Sequence, residues 1–213
     1  MPIRIVVSAV SPEPEAIARA ADVVARGGVI AFPTETLYGL GADACDAAAV
    51  ERVFAVKGRP RDVAIPLIAS DREQVARWIG PLGEMGERLA ARFWPGPLTI
   101  VVAAPAHLPA GLLGGGRTVG VRVSAHPVAA ALARAVGRPI TATSANRSGQ
   151  APTALADEVA AALGDEVDAV LDAGRCPGGP PSTIVDVTGC APRLVRGGAV
   201  PWERVLESLH AVP

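Results

Sequence analysis

This chain of 213 residues is poor in several things at once, and each scarcity narrows what it can be. Aromatic residues make up only 3% of it, so a core must be assembled from Val, Ala, Leu and Ile, and there are few rings on which nucleic-acid bases could stack. Three cysteines (Cys45, Cys176, Cys190) with no CxxC spacing suggest neither a zinc site nor a disulfide framework, a usage that fits a reducing compartment. The formal net charge is −1, so there is no bulk cationic field of the kind that carries nucleic-acid binding by itself. No apolar run reaches the length of a membrane span, and "MPIRIVVSAVSPEPE" is too short and too soon broken for a signal peptide. A soluble cytoplasmic protein without membrane association is expected.

Familiar chemical signatures are missing too. There is no GxxxxGK[ST] loop, no GxGxxG after a strand, no GxSxG elbow and no HExxH. His107, His126 and His210 lack metal-ligand spacing, and His126, just before Pro127, reads as structural. Lysine is the extreme case: Lys57 is the only one, and the other 19 of the 20 basic residues are arginine.

What is present is half hydrophobic and regularly punctuated by glycine and proline. Helical patterns cover 11–28 (Ser11 as cap, Pro12 in the first turn), 46–58 (Asp46 as cap, Gly58 as stop), 71–79, 83–94, 126–137 (capped by Ser124), 154–164 and 201–210. Strand patterns cover 29–33, 65–69, 97–104, 118–123, the start of 138–149, and parts of 167–174, 182–189 and 192–198. The alternation predicts an α/β fold: one domain over 1–213 around a twisted, mixed parallel/antiparallel sheet flanked by helices.

Candidate site residues follow from chemistry and spacing. Val50, Val53, Phe54 and Lys57 fall at i, i+3, i+4 and i+7, so Lys57 extends a buried stripe. It either snorkels out at a helix C-terminus or offers an anion a compact charge with three donors, and Arg59 can converge on the same anion. In "FPTETLYGLGAD" a strand end delivers Thr34 and Thr36 on either side of Glu35, either as ligand groups or as a self-satisfied turn. "ITATSANRSG" brings Ser144, Asn146 and Ser148 to a loop able to hold an anion without charge, or to form a plain Asn-Ser-Gly turn. Thr118 and Arg122 share one face of a strand. Ser182 opens another strand, and Arg196 precedes a glycine pair.

Together, "GGVIAFPTETLYGLGADA", "KGRP" followed by "PL", "FWPGPLTIVV", "TVGVRVSAHPV", "TSANRSG", "STIVD" and "LVRGG" resemble the YrdC-domain family of L-threonylcarbamoyladenylate synthases, in order and rough spacing, from about residue 13 to about 200. The resemblance is to the short single-domain form. It implies that L-threonine, bicarbonate and ATP, with Mg2+ on the phosphates, give threonylcarbamoyl-AMP and pyrophosphate, the first step toward the tRNA modification t6A37. By position it implies that Lys57, Arg59, Ser144 and Asn146 serve the reacting centre. Thr118, Pro152 and Arg196 would complete the ATP site, with Lys57, Arg59 and Ser144. Thr34, Thr36, Arg122, Ala142 and Ser182 would form the threonine site. Separate threonylcarbamoyl-transfer proteins would be downstream partners, with at most weak tRNA contact. "KGRPRDVAIPLIAS" departs from the family pattern: it has two extra residues before "PL", lacks the usual asparagine, and has Ser70 where histidine is common. Thr143 stands where Pro is frequent, and Pro181 where Glu is. An RNA-binding or ribosome-maturation protein using the same basic pocket is the alternative. A carbamoyl-adenylate domain of a hydrogenase maturation protein is a third reading, but those chains carry acylphosphatase and zinc-finger segments absent here.

Overall fold

The structure, a computed structural model, describes residues 1–210. Its strands are β1 (Ile3–Val6), β2 (Ile30–Phe32), β3 (Gly39–Gly41), β4 (Leu67–Ala69), β5 (Leu98–Ala103), β6 (Thr118–Val123), β7 (Ile140–Thr141), β8 (Thr143–Ser144), β9 (Ala169–Asp172), β10 (Thr183–Asp186) and β11 (Arg193–Arg196). The helices are α1 (Pro14–Ala25), α2 (Ala47–Lys57), α3 (Arg72–Trp78), α4 (Gly83–Phe93), α5 (Pro127–Val136), α6 (Ala156–Leu163) and α7 (Trp202–His210).

The mixed α/β class stands, but the strands divide between two sheets instead of forming one. The first runs β1-β9-β2-β3-β8 and the second β11-β10-β5-β6-β4-β7, each mixing parallel and antiparallel neighbours. The segment 140–144, expected as one strand running into a loop, is where the chain passes between them. Thr141 pairs with Leu67 of the second sheet and Thr143 with Leu40 of the first. Thr141 Oγ1 accepts from the Ala42 amide and donates to the Leu40 carbonyl, which ties the sheets together at the crossing.

Two helix starts differ from the sequence expectation. α1 begins at Pro14 with Glu13 as N-cap, not at Ser11, because the Glu13 carboxylate accepts the Ser8 amide and Ser8 Oγ accepts the Ser11 amide. That holds 8–13 as an extended turn before the Pro-started helix. α5 is capped by His126, whose Nδ1 accepts the Val128 amide, while Ser124 accepts the His126 amide one step upstream. β1, unassigned from the sequence, pairs parallel with β9 at the edge of the first sheet.

α2 forms as its pattern predicts. Asp46 accepts the Ala48 and Ala49 amides, and Gly58 closes the helix in the left-handed region (φ 57°), which a residue without a Cβ adopts freely. The apolar face of α2 and the interior faces of both sheets form the larger core, with Tyr38, Leu40, Val53, Phe54, Leu98, Ile100 and Val121 fully or almost fully buried. A second core lies among α1, α5 and the side of the first sheet carrying Ile30 and Phe32.

Period-two alternation positions the site. In the second sheet, Leu98, Ile100, Val119, Val121 and Val185 point into the core. Thr99, Val101, Thr118, Gly120, Arg122, Ile184 and Asp186 point the other way and floor a cavity.

Candidate active site

That cavity has a volume of about 840 Å³. Its walls are the loop after β2, the turn following α2, the segment from Ala142 through Pro152, and β11. All thirteen residues singled out from the sequence line it: Thr34, Thr36, Lys57, Arg59, Thr118, Arg122, Ala142, Ser144, Asn146, Ser148, Pro152, Ser182 and Arg196. Their convergence is not visible in the spacing, since they come from nearly every part of the chain.

The electrostatics are one-sided. Lys57, Arg59, Arg122, Arg193 and Arg196 line the cavity against a single lining carboxylate, Asp186. In a chain of net charge −1 this is a local concentration of cations in a concavity, which focuses field on an anion.

Lys57 is only 4% exposed. Its ammonium donates to the Ser144 carbonyl at 2.8 Å, Ser144 Oγ at 3.2 Å and Asn146 Oδ1 at 2.9 Å, so all three protons have partners. Burial, with a smaller contribution from Arg59, lowers its pKa to about 8. Asn146 in turn donates to the carbonyls of Arg147 and Gln150, and the Ser148 amide donates to the Lys57 carbonyl. The helix end and the Ser-Ala-Asn segment therefore form one unit. An arriving anion can most readily take over the ammonium proton that Lys57 now donates to Ser144 Oγ, the longest of the three bonds.

Arg59 is held more loosely, donating to Thr143 Oγ1 at 3.3 Å, and burial lowers its pKa. Arg196 donates to the Ser182 carbonyl from Nε and Nη2 and to Ser182 Oγ, and Ser182 Oγ lies 3.1 Å from Thr99 Oγ1. Burial lowers the Arg196 pKa, with the Arg122 charge acting the same way.

The two threonines differ. Thr34 Oγ1 accepts the Thr36 and Leu37 amides and donates to the Leu37 carbonyl, so its hydroxyl shapes its own turn. Thr36 Oγ1 has one side-chain neighbour, Thr34 Oγ1 at 3.2 Å, and keeps capacity for a ligand. Arg122, 7% exposed, is ion-paired to Glu35, whose other carboxylate oxygen accepts from Ser124 Oγ. Ala142, at the crossing between sheets, donates its amide to the Pro66 carbonyl. Ser70, in the histidine's usual place, does not line the cavity: its amide is taken by Gln74 and its hydroxyl by Asp71.

Sequence reasoning passed over Thr99, Asp186 and Arg193. Thr99 could have been found as the polar break in the apolar strand "PLTIVV". Asp186 accepts from the Thr188 amide, Thr188 Oγ1 and Arg193, and these hold its pKa below the usual range despite burial. Its oxygens thus have donors, and among the described residues no group of three or more His, Cys, Asp or Glu side chains is placed for a metal ion. This donor set does not fit a resident Mg2+, which takes oxygen ligands and carboxylates.

A mixed α/β fold with a half-open cavity lined by cations and hydroxyls has the makings of a small-molecule site suited to an anion. Comparison with known proteins narrows the class. Residues 22–198 match the profile of the Sua5/YciO/YrdC family, described as "Telomere recombination". The chain belongs to this family. It is 41% identical over 186 residues to the threonylcarbamoyl-AMP synthase of Pyrococcus abyssi, a match spanning 87% of this chain and 55% of that protein. It is 43% identical over 159 residues to the threonylcarbamoyl-AMP synthase of Halorhodospira halophila, covering 74% of this chain and 83% of that one. The crystal structure of P. abyssi Sua5 complexed with L-threonine superposes with a TM-score of 0.91 at 38% identity, covering 99% of this chain and 61% of that chain. The chain thus spans little more than half the length of its Pyrococcus relative.

Proposed function

We propose that the protein is a threonylcarbamoyl-AMP synthase, converting L-threonine, bicarbonate and ATP to threonylcarbamoyl-AMP and pyrophosphate. The observation that carries this reading is the convergence of five cationic side chains on one cavity that is also lined by Thr and Ser hydroxyls. Such a site suits a triphosphate and an amino-acid carboxylate together.

In this reading Arg122, Thr36, Ser182 and the backbone at Ala142 hold threonine, with Thr34 shaping the loop. Lys57, Arg59, Ser144, Thr118, Pro152 and Arg196 hold ATP, and Asn146 keeps Lys57 in place. The threonine amine and bicarbonate form an N-carboxylate with loss of water. One of its oxygens attacks the α-phosphorus and the α–β bridging oxygen leaves with pyrophosphate. The chain's part is alignment and neutralisation of charge that builds on the phosphates. Mg2+ accompanies ATP as counter-ion to its phosphates.

The product would serve t6A37 formation through separate transfer proteins in the cytoplasm, with residues 1–213 acting as one domain. The burial of Lys57 and Arg122, together with the net charge of −1 and the scarcity of aromatic side chains, argues against the RNA-binding alternative. The test is pyrophosphate release by the purified protein with ATP and Mg2+. Release should need threonine and bicarbonate together, and undiminished release when either is omitted would refute the assignment.

A further inference from the structure

Glu35 is the acidic residue that sequence reasoning left without a role, and it does not line the cavity. It is nevertheless ion-paired to a lining cation, Arg122. One carboxylate oxygen accepts from Arg122 Nη1 and the other from Ser124 Oγ. Ser124 is 2% exposed and also accepts the His126 amide, which ties this carboxylate to the N-terminal turn of α5. On its cavity side, Arg122 shares the site with Arg196, and the two guanidinium charges act against each other. A buried arginine so placed has reason to swing away unless an anion behind it fixes its plane.

We infer that Glu35 is a positioning residue for the threonine site: anchored by Ser124, it holds one edge of the Arg122 guanidinium so that the remaining donors face the cavity. Planar guanidinium recognition of a carboxylate is directional, so orientation governs affinity for the amino acid more than for the nucleotide. The inference rests on the reading that Arg122 receives the threonine carboxylate.

The test compares Glu35→Ala, Glu35→Gln, Ser124→Ala and Arg122→Ala by steady-state pyrophosphate release, varying threonine and ATP separately. Glu35→Ala should raise the threonine KM at least about tenfold while leaving the ATP KM within about twofold. The isosteric Glu35→Gln should restore most of the loss, and Ser124→Ala should fall between. A threonine KM within twofold of wild type in Glu35→Ala, or an equal rise in the ATP KM, overturns the inference. If Glu35→Ala does not fold, as judged by thermal melting, a threonine KM within twofold of wild type in Ser124→Ala overturns it instead. If Arg122→Ala itself binds threonine normally, the underlying reading of Arg122 fails. If Arg122→Ala loses threonine and the Glu35 variants do not, only the role of Glu35 falls.

Discussion

The Lys57 ammonium donates to Asn146 Oδ1 at 2.9 Å, joining two segments 89 residues apart at a buried charge. The bond makes the last turn of α2 and the Ser144–Asn146 segment a single device. Residues acting as one device are strongly non-additive when removed. Lys57→Ala and Asn146→Ala should each lower kcat by about two to three orders of magnitude, and the double variant should cost little more than the worse single. Lys57→Arg should fail to rescue, because the wider planar fork cannot reproduce three donors from one nitrogen. Single-turnover kinetics of the four proteins decide this.

The same lysine sets a pH dependence. Its pKa in the free protein is about 8 against an ordinary 10.5, so folding disfavours its charged form. The penalty is complete below about pH 8 and is relieved as pH rises from 8 toward 10.5. Phosphate binding favours the ammonium and pushes the pKa back up. ATP binding should therefore take up part of a proton near pH 8 and almost none at pH 6.5, and ATP affinity should fall as pH rises through about 8. Calorimetry in buffers of different ionisation enthalpy measures the uptake, which should vanish in Lys57→Met.

Gly120 lies in the cavity floor, and a Cβ there would come 2.9 Å from Thr99 Cγ2 and 3.5 Å from Pro66 Cβ. Gly120→Ala should cost about 1–3 kcal/mol of stability by overpacking and lower activity beyond what the lost stability explains. Urea unfolding alongside kinetics separates the two effects.

Tyr38, fully buried, donates its hydroxyl to the Gly174 carbonyl and accepts the Ala173 amide, and burial raises its pKa. Tyr38→Phe leaves both backbone groups without these partners. It should destabilise by about 1–3 kcal/mol while sparing the KM of both substrates.

Much of this was readable in the sequence where local rules govern. α2, with Asp46 and Gly58 at its ends, follows from capping chemistry, and the burial of Lys57 follows from helical phase. The shared cavity face of Thr118 and Arg122 follows from the strand period. Long-range pairing was not readable. The split into two sheets depends on which strands meet across tens of residues, and the Glu35–Arg122 pair joins positions 87 apart. The start of α1 is not legible in the sequence because Glu13 and Ser8 accept the amide bonds there, not the nearer Ser11 side chain. Asp186 is an ordinary strand residue in the sequence, and only the sheet turns it toward the cavity.

The most direct test of the central claim is mass-spectrometric detection of the product. Purified protein is incubated with ATP, Mg2+, bicarbonate and L-threonine. The account predicts threonylcarbamoyl-AMP, labelled when 13C-bicarbonate is supplied and absent from Lys57→Ala. An active preparation that releases pyrophosphate but forms no such adduct, or forms it equally in Lys57→Ala, would contradict it.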